Sequence, residues 1–179
     1  KDEILPIGNL REDKSSAKRA DIIVVTKCPD NLSQKDKQLF LTSLNPLEKQ
    51  KVFFSSLTYL QKIKSESEEI DIDVLKDDNF ILVTGIADSS YLVNFLKLKG
   101  LDFKHLKYSD HYNFKKSSVD KISELSLNKK ILTTEKDFGR LSPKVKNRDI
   151  FYIEVGLKFP KEINDLDFNT YIEEYINKD

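Results

Sequence analysis

One cysteine, Cys28, stands among the 179 residues. It leaves no internal disulfide, and no CxxC or Cys/His cluster surrounds it. A disulfide scaffold and a structural zinc site are both excluded, and a reducing compartment is expected. Charge of one sign is also missing: 30 basic and 30 acidic side chains give a formal net charge of zero. That balance excludes a domain whose main work is gripping a nucleic-acid backbone. No apolar run approaches the roughly 20 residues that span a bilayer. The opening residues carry no signal-peptide pattern. No Walker or GxGxxG phosphate loop is present, and no repeat or low-complexity tract is evident. The first residue is not Met, and "KDEILPIGNLRED" begins abruptly in patterned sequence, so a fragment lacking an N-terminal part is expected.

What is present is enough for a core. The chain is 39% hydrophobic and 34% charged, which fits one domain, or one domain and part of another. "DIIVVTK" (21–27) and "NFILVTGIA" (79–87) are β-branched runs typical of strands buried on both faces. "KILTTEKD" (130–137) and "DIFYIEV" (149–155) complete the set, with "DFKHLKYS" (102–109) weaker. Helical patterns lie between them. Ser33 caps "QKDKQLFLTSL", which stops before Pro46. Residues 89–100 put Leu92, Phe95 and Leu96 on one face, with Gly100 at the C′ position. Ser117 or Ser118 is expected to cap a helix carrying Val119, Ile122 and Leu125. Phe168, Tyr171, Ile172, Tyr175 and Ile176 make the cleanest helical stripe.

Strand–helix alternation with buried strands predicts an α/β fold, a mostly parallel sheet with helices on both faces. Residues 49–78 break the pattern and read as a two-stranded β-linker around a solvated loop. Within them "IDID" (70–73) reads as half-buried strand rather than a metal-binding Asp-x-Asp. The division expected is 1–48, 49–78 and 79–179.

In doubly wound sheets ligands bind beyond the carboxyl ends of the strands, where Gly85, His111 and Thr134 fall. Each has an ordinary reading. Gly85 suits a tight strand-to-helix turn, and Thr134 suits an N-cap with Glu135 and Asp137 in the first turn of a short helix "KDFGRL". Arg11 and Glu12 suit an exposed ion pair, though Arg also bridges phosphates. His111 suits a polar turn, though imidazole beside an acid also handles protons near neutral pH.

Taken in order, "ILPIGNLRE", "RADIIVVTK", "VTGIADSSYLVNFLKLKG", "YSDHYNF" and "ILTTEKD" followed by "RL" resemble the C-terminal half of the tetraacyldisaccharide 4′-kinases of lipid A biosynthesis. Five separated blocks occur in the family's order, from residue 4 to about 155. The resemblance implies a P-loop NTPase-like fold, here incomplete, with two α/β domains joined by a two-stranded linker. Residues 1–48 would be the tail of the nucleotide-binding domain and 79–179 the second domain. It implies ATP-dependent phosphorylation of a 4′-hydroxyl on an acylated disaccharide 1-phosphate, with Mg²⁺. The setting implied is the cytoplasmic face of the inner membrane of a Gram-negative bacterium, contacted through the missing N-terminal part. A monomer with no nucleic-acid partner is expected. His111 would assist an acidic base from the family's first domain, with Asp110 orienting it or closing the turn. Arg11 and Glu12 would lie near phosphate. Gly85, Ile86, Ala87, Glu135, Lys136 and Asp137 would line the nucleotide side.

The departures are also plain. The phosphate-binding loop, the Asp-Asp-x-x-Gln-His block and the N-terminal membrane-docking helix of the family are absent from these residues. Asp88-Ser89-Ser90 stands where Pro usually follows Gly-Ile-Ala. The chain by itself is expected to be inactive, because phosphoryl transfer depends on groups that position the γ-phosphate and magnesium. The alternative reading is a non-catalytic α/β ligand-binding or regulatory module.

Overall fold

A computed structural model describes residues 11–160 and 167–177. Residues 4–10 of the first block lie outside them.

Two compact units emerge. The first combines residues 1–58 with 157–179, and the second is 59–156. The chain passes between them within β3 (Ser56–Lys64) and within β8 (Ile150–Lys158), neighbours in one sheet. The units thus divide the chain differently from the sequence pattern: the segment after 156 groups with the N-terminal elements, not with 79–156. Aromatic packing is the reason. Phe168 and Tyr171, on helix α5 (Phe168–Ile176), set their rings 5.0 and 5.5 Å from that of Phe53, and offset or edge-on rings add attraction beyond the area they bury.

In the first unit, β1 (Ile22–Val25) runs parallel to β2 (Lys51–Phe54), joined by α1 (Gln34–Leu44). Ser33 caps α1 by accepting the Asp36 N–H at 3.1 Å. Asn45 ends it in the left-handed conformation, just ahead of Pro46. The run read as buried on both faces is in fact half-buried, with Val24 exposed. Among the described residues its sheet has two strands.

In the second unit the order is β4–β3–β8–β7–β5–β6, with β4 (Glu69–Asp71), β5 (Phe80–Thr84), β6 (Phe103–Lys107) and β7 (Ile131–Thr134). The pairs β5–β6, β5–β7 and β7–β8 are parallel, and β3–β4 is antiparallel. Strand β5 is buried throughout, and its side chains alternate between two cores. Phe80 and Leu82 pack with Leu92 and Leu96 of α2 (Ser90–Leu98). Ile81 and Val83 pack with Ile122 of α3 (Lys116–Leu125) and Leu141 of α4 (Glu135–Leu141). Helices therefore cover both faces, as the alternation implied. Each fully buried leucine here contributes about 1.5–3 kcal/mol of transfer free energy. Gly100 takes φ +74 at the end of α2, where only glycine is free of steric cost.

Two local readings change. "IDID" is not one strand: Asp71 accepts the Asp73 N–H at 2.8 Å and turns the chain into a 3₁₀ segment, Ile72–Leu75, that buries both Ile72 and Leu75. Helix α3 starts at Lys116 without a side-chain cap, because Ser118 faces inward and shares a hydrogen bond with the Tyr112 hydroxyl at 2.8 Å.

Candidate functional site

Strands β5, β6 and β7 are parallel, so their carboxyl ends lie together. Three singled-out blocks meet there. Gly85 follows β5, Asp110 and His111 follow β6, and the Thr-Glu-Lys-Asp block follows β7.

Asp137 is the centre of the cluster, with no solvent exposure at all. Its Oδ2 accepts the Gly85 N–H at 2.7 Å and the Thr134 hydroxyl at 2.8 Å. Its Oδ1 accepts from Arg140 Nη2 at 2.6 Å. A buried carboxylate is tolerable only when paired and hydrogen-bonded, and three donors meet that condition. Thr134 is also the N-cap of α4, accepting the Asp137 N–H at 3.2 Å, as the helix-start reading implied. The rest of the block points elsewhere: Glu135 and Lys136 are exposed. Ile86 is half-buried and Ala87 exposed.

Gly85 is required here by close approach rather than by a left-handed backbone. A Cβ at this position would lie 2.9 Å from Asp137 Oδ1, 3.4 Å from Tyr112 Cβ and 3.5 Å from the Ser109 carbonyl oxygen. Gly85→Ala is therefore expected to destabilise the protein by about 1–3 kcal/mol, the usual cost of overpacking. Urea denaturation checks this; an unchanged midpoint would show that the Asp137 carboxylate shifts freely.

His111 has φ +52, unusual for a residue with a side chain. Its N–H donates to the Gly85 carbonyl at 3.0 Å and to Asp110 Oδ1 at 3.0 Å. Asp110 therefore closes the turn. Its other oxygen is 3.9 Å from His111 Nε2, and the imidazole is 80% exposed. Tyr108 and Tyr112 stack at 4.7 Å beside this turn. The second histidine, His105, shares a hydrogen bond with Thr84 Oγ1 at 2.9 Å. Burial, aided by nearby Lys107, lowers its pKa and favours the neutral ring.

Arg11 and Glu12 belong to the first unit, not to this cluster. Glu12 pairs with Arg19 at 2.7 Å, both well exposed. Cys28 is a buried free thiol. A cavity of about 350 Å³ in the first unit, lined by Lys37, Leu41, Phe53, Phe54, Phe168 and Tyr171, holds none of the singled-out residues. Among the described residues, no group of three His, Cys, Asp or Glu side chains could hold a metal, and none of their helices is long and apolar enough to cross a membrane.

Sequence reading missed Arg140, Tyr112 and Ser118. Asp137 and Arg140 stand three apart in "KDFGR", the spacing of neighbours on a helix, so that pair was findable. The tyrosine–serine bond crosses from loop to helix and has no such signature.

Parallel strands with helices on both faces make this an α/β protein, a class whose ligands bind beyond the carboxyl ends of the strands. The family model "Tetraacyldisaccharide-1-P 4′-kinase" (LpxK) matches residues 1–174, and the chain belongs to that family. It is 36% identical over 179 residues to a tetraacyldisaccharide 4′-kinase of Flavobacterium psychrophilum, covering 98% of this chain and 50% of that protein. A second relative of that name, from Flavobacterium johnsoniae, is 32% identical, covering 99% and 51%. The chain thus spans about half the length of the curated relatives it matches. A crystal structure of LpxK from Aquifex aeolicus in complex with ATP shares the fold, with a TM-score of 0.60 at 22% identity, covering 98% of this chain and 47% of that one.

Proposed function

We propose that this chain is the part of an ATP-dependent kinase that steadies proton removal from the 4′-hydroxyl of a tetraacyldisaccharide 1-phosphate, a step in lipid A biosynthesis. Membership in the 4′-kinase family is one support. The observation that carries the reading is His111: a solvent-facing imidazole held by its own backbone at the joined carboxyl ends of three parallel strands. An exposed ring there is free to hydrogen-bond a substrate-side group. Imidazole can hold the proton, or the orientation, of a carboxylate that takes it from a sugar hydroxyl. The freed oxygen then attacks the γ-phosphorus of ATP, and the bond from that phosphorus to the β,γ-bridging oxygen breaks to release ADP.

Other roles follow the same reading. Asp110 sets the turn that presents His111. Ile86, Ala87, Glu135 and Lys136 are accessible enough to contact the nucleotide, while Gly85 and Asp137 hold them in place. Arg11 and Glu12 lie near the phosphate end of the cleft. Residues 1–48 are the tail of the nucleotide-binding domain, and the linker includes β3. The work is done at the inner membrane surface, on a lipid precursor, by a monomer.

Magnesium serves the phosphate groups when bound, but the described residues do not fit a site for it. Asp137, the buried carboxylate of the cluster, already accepts from three protein donors.

The test is calorimetric titration with ATP. The product of the complete open reading frame that contains these 179 residues is expected to bind ATP, and the 179-residue chain alone is expected neither to bind it tightly nor to hydrolyse it. Equal affinity of the two would overturn the division of labour.

A further inference from the structure

The peptide units around Gly85 are gripped on both sides. The Gly85 N–H is held by Asp137, and the Gly85 carbonyl receives the His111 N–H at 3.0 Å. Asp137 is itself fixed by the Thr134 hydroxyl and the Arg140 guanidinium. Arg140 Nη2 also lies 3.5 Å from the Gly85 oxygen, so one cation spans the carboxylate and the carbonyl. A continuous path of hydrogen bonds thus runs from α4 to the His111 backbone.

The His111 end needs such a path. With the ring 80% exposed, little side-chain packing can set its direction. Its left-handed backbone is a conformation that persists in a side-chain-bearing residue only when its surroundings over-determine it. Two acceptors supply that constraint, and one of them, Asp110, sits on the same turn and would travel with it. Neighbouring ties hold the ends of the turn: the Tyr108 N–H to the Thr84 carbonyl at 2.7 Å, and Tyr112 to Ser118. Gly85 alone ties its middle to another strand's end.

We propose that Arg140 and Asp137 are positioning residues for phosphoryl transfer, fixing the His111 imidazole through the Gly85 peptide. The inference rests on the reading of His111 as the group that assists proton removal. Neither residue touches the reacting atoms. Their effect is on where the ring stands, and a displacement of about 1 Å at a reacting group can cost up to about 10²-fold in rate.

The experiment is a double-mutant cycle on the complete protein. Arg140→Ala is the probe: Arg140 is 28% exposed and its loss leaves Asp137 two donors but no cation, so each rate is read beside a melt. It is expected to lower kcat about tenfold while KM for ATP stays within about twofold. In a His111→Ala background the same change is expected to cost nothing further, since the ring it positions is gone. Arg140→Lys, which keeps the charge but not the fork, should recover part of the rate. Thermal melts run alongside, and if Arg140→Ala melts below the assay temperature the cycle is completed with Arg140→Lys. An equal loss in both backgrounds, or no loss in either, overturns the proposal. A normal kcat for His111→Ala alone overturns the reading of His111 first, and the positioning claim falls with it.

Discussion

Replacing His111 with alanine in the complete protein is expected to lower kcat by roughly 10²–10⁴-fold, the usual range for a general acid–base contribution. Stability should hardly change. The imidazole is largely exposed, so its removal uncovers no core, and the backbone bonds to Gly85 and Asp110 do not involve the ring. The left-handed backbone suits alanine somewhat less well than histidine, so only a small loss is expected. His111→Gln, which can hydrogen-bond but cannot carry the proton, should recover little. His105 is the control: its ring, on β6, is hydrogen-bonded to Thr84 of β5, and its replacement should leave kcat nearly unchanged. Steady-state kinetics of the three variants decide the matter, and near-normal kcat for His111→Ala would make this residue a solvated turn histidine.

The largest stability effect is expected at Asp137. Asp137→Ala strands the Gly85 N–H, the Thr134 hydroxyl and the Arg140 guanidinium in or near the interior. Breaking a buried charge pair by removing one partner usually costs about 3–5 kcal/mol. The lower end applies here, about 3 kcal/mol, because Arg140 is partly exposed and can regain water. Asp137→Asn should cost less than alanine, keeping one acceptor but turning an amide toward donors. Urea unfolding of the complete protein measures both. A cost below about 1 kcal/mol for alanine, the level of a single ordinary hydrogen bond, would mean that the three donors find other partners.

Much of this was legible in the chain, and the reason is periodicity. "NFILVTGIA" has the unbroken apolar run of a strand covered on both faces, and β5 is that strand. Leu92 and Leu96 lie one helical turn apart, and both are fully buried. Thr134 ahead of two acids signals a cap, and the cap forms. The site was legible in location but not in wiring. Strand ends marked where Gly85, His111 and Thr134 would fall, yet nothing local shows that Asp137 reaches 52 residues back to Gly85. That contact depends on the order of strands in the sheet, a long-range property. The left-handed turn at His111 was equally hidden, since no glycine or asparagine announces it. "DIIVVTK" misled for a related reason: composition reports how much a strand could bury, not what packs on its faces.

The direct measurement is transfer of the γ-phosphate of ATP to tetraacyldisaccharide 1-phosphate by the complete protein, with the position of the new phosphate read by ³¹P and ¹H NMR of the product. A single new phosphomonoester at the 4′-oxygen is expected, formed with the complete protein and not with the 179-residue chain. A complete protein that binds the disaccharide but transfers no phosphate, or places it at another oxygen, would contradict it.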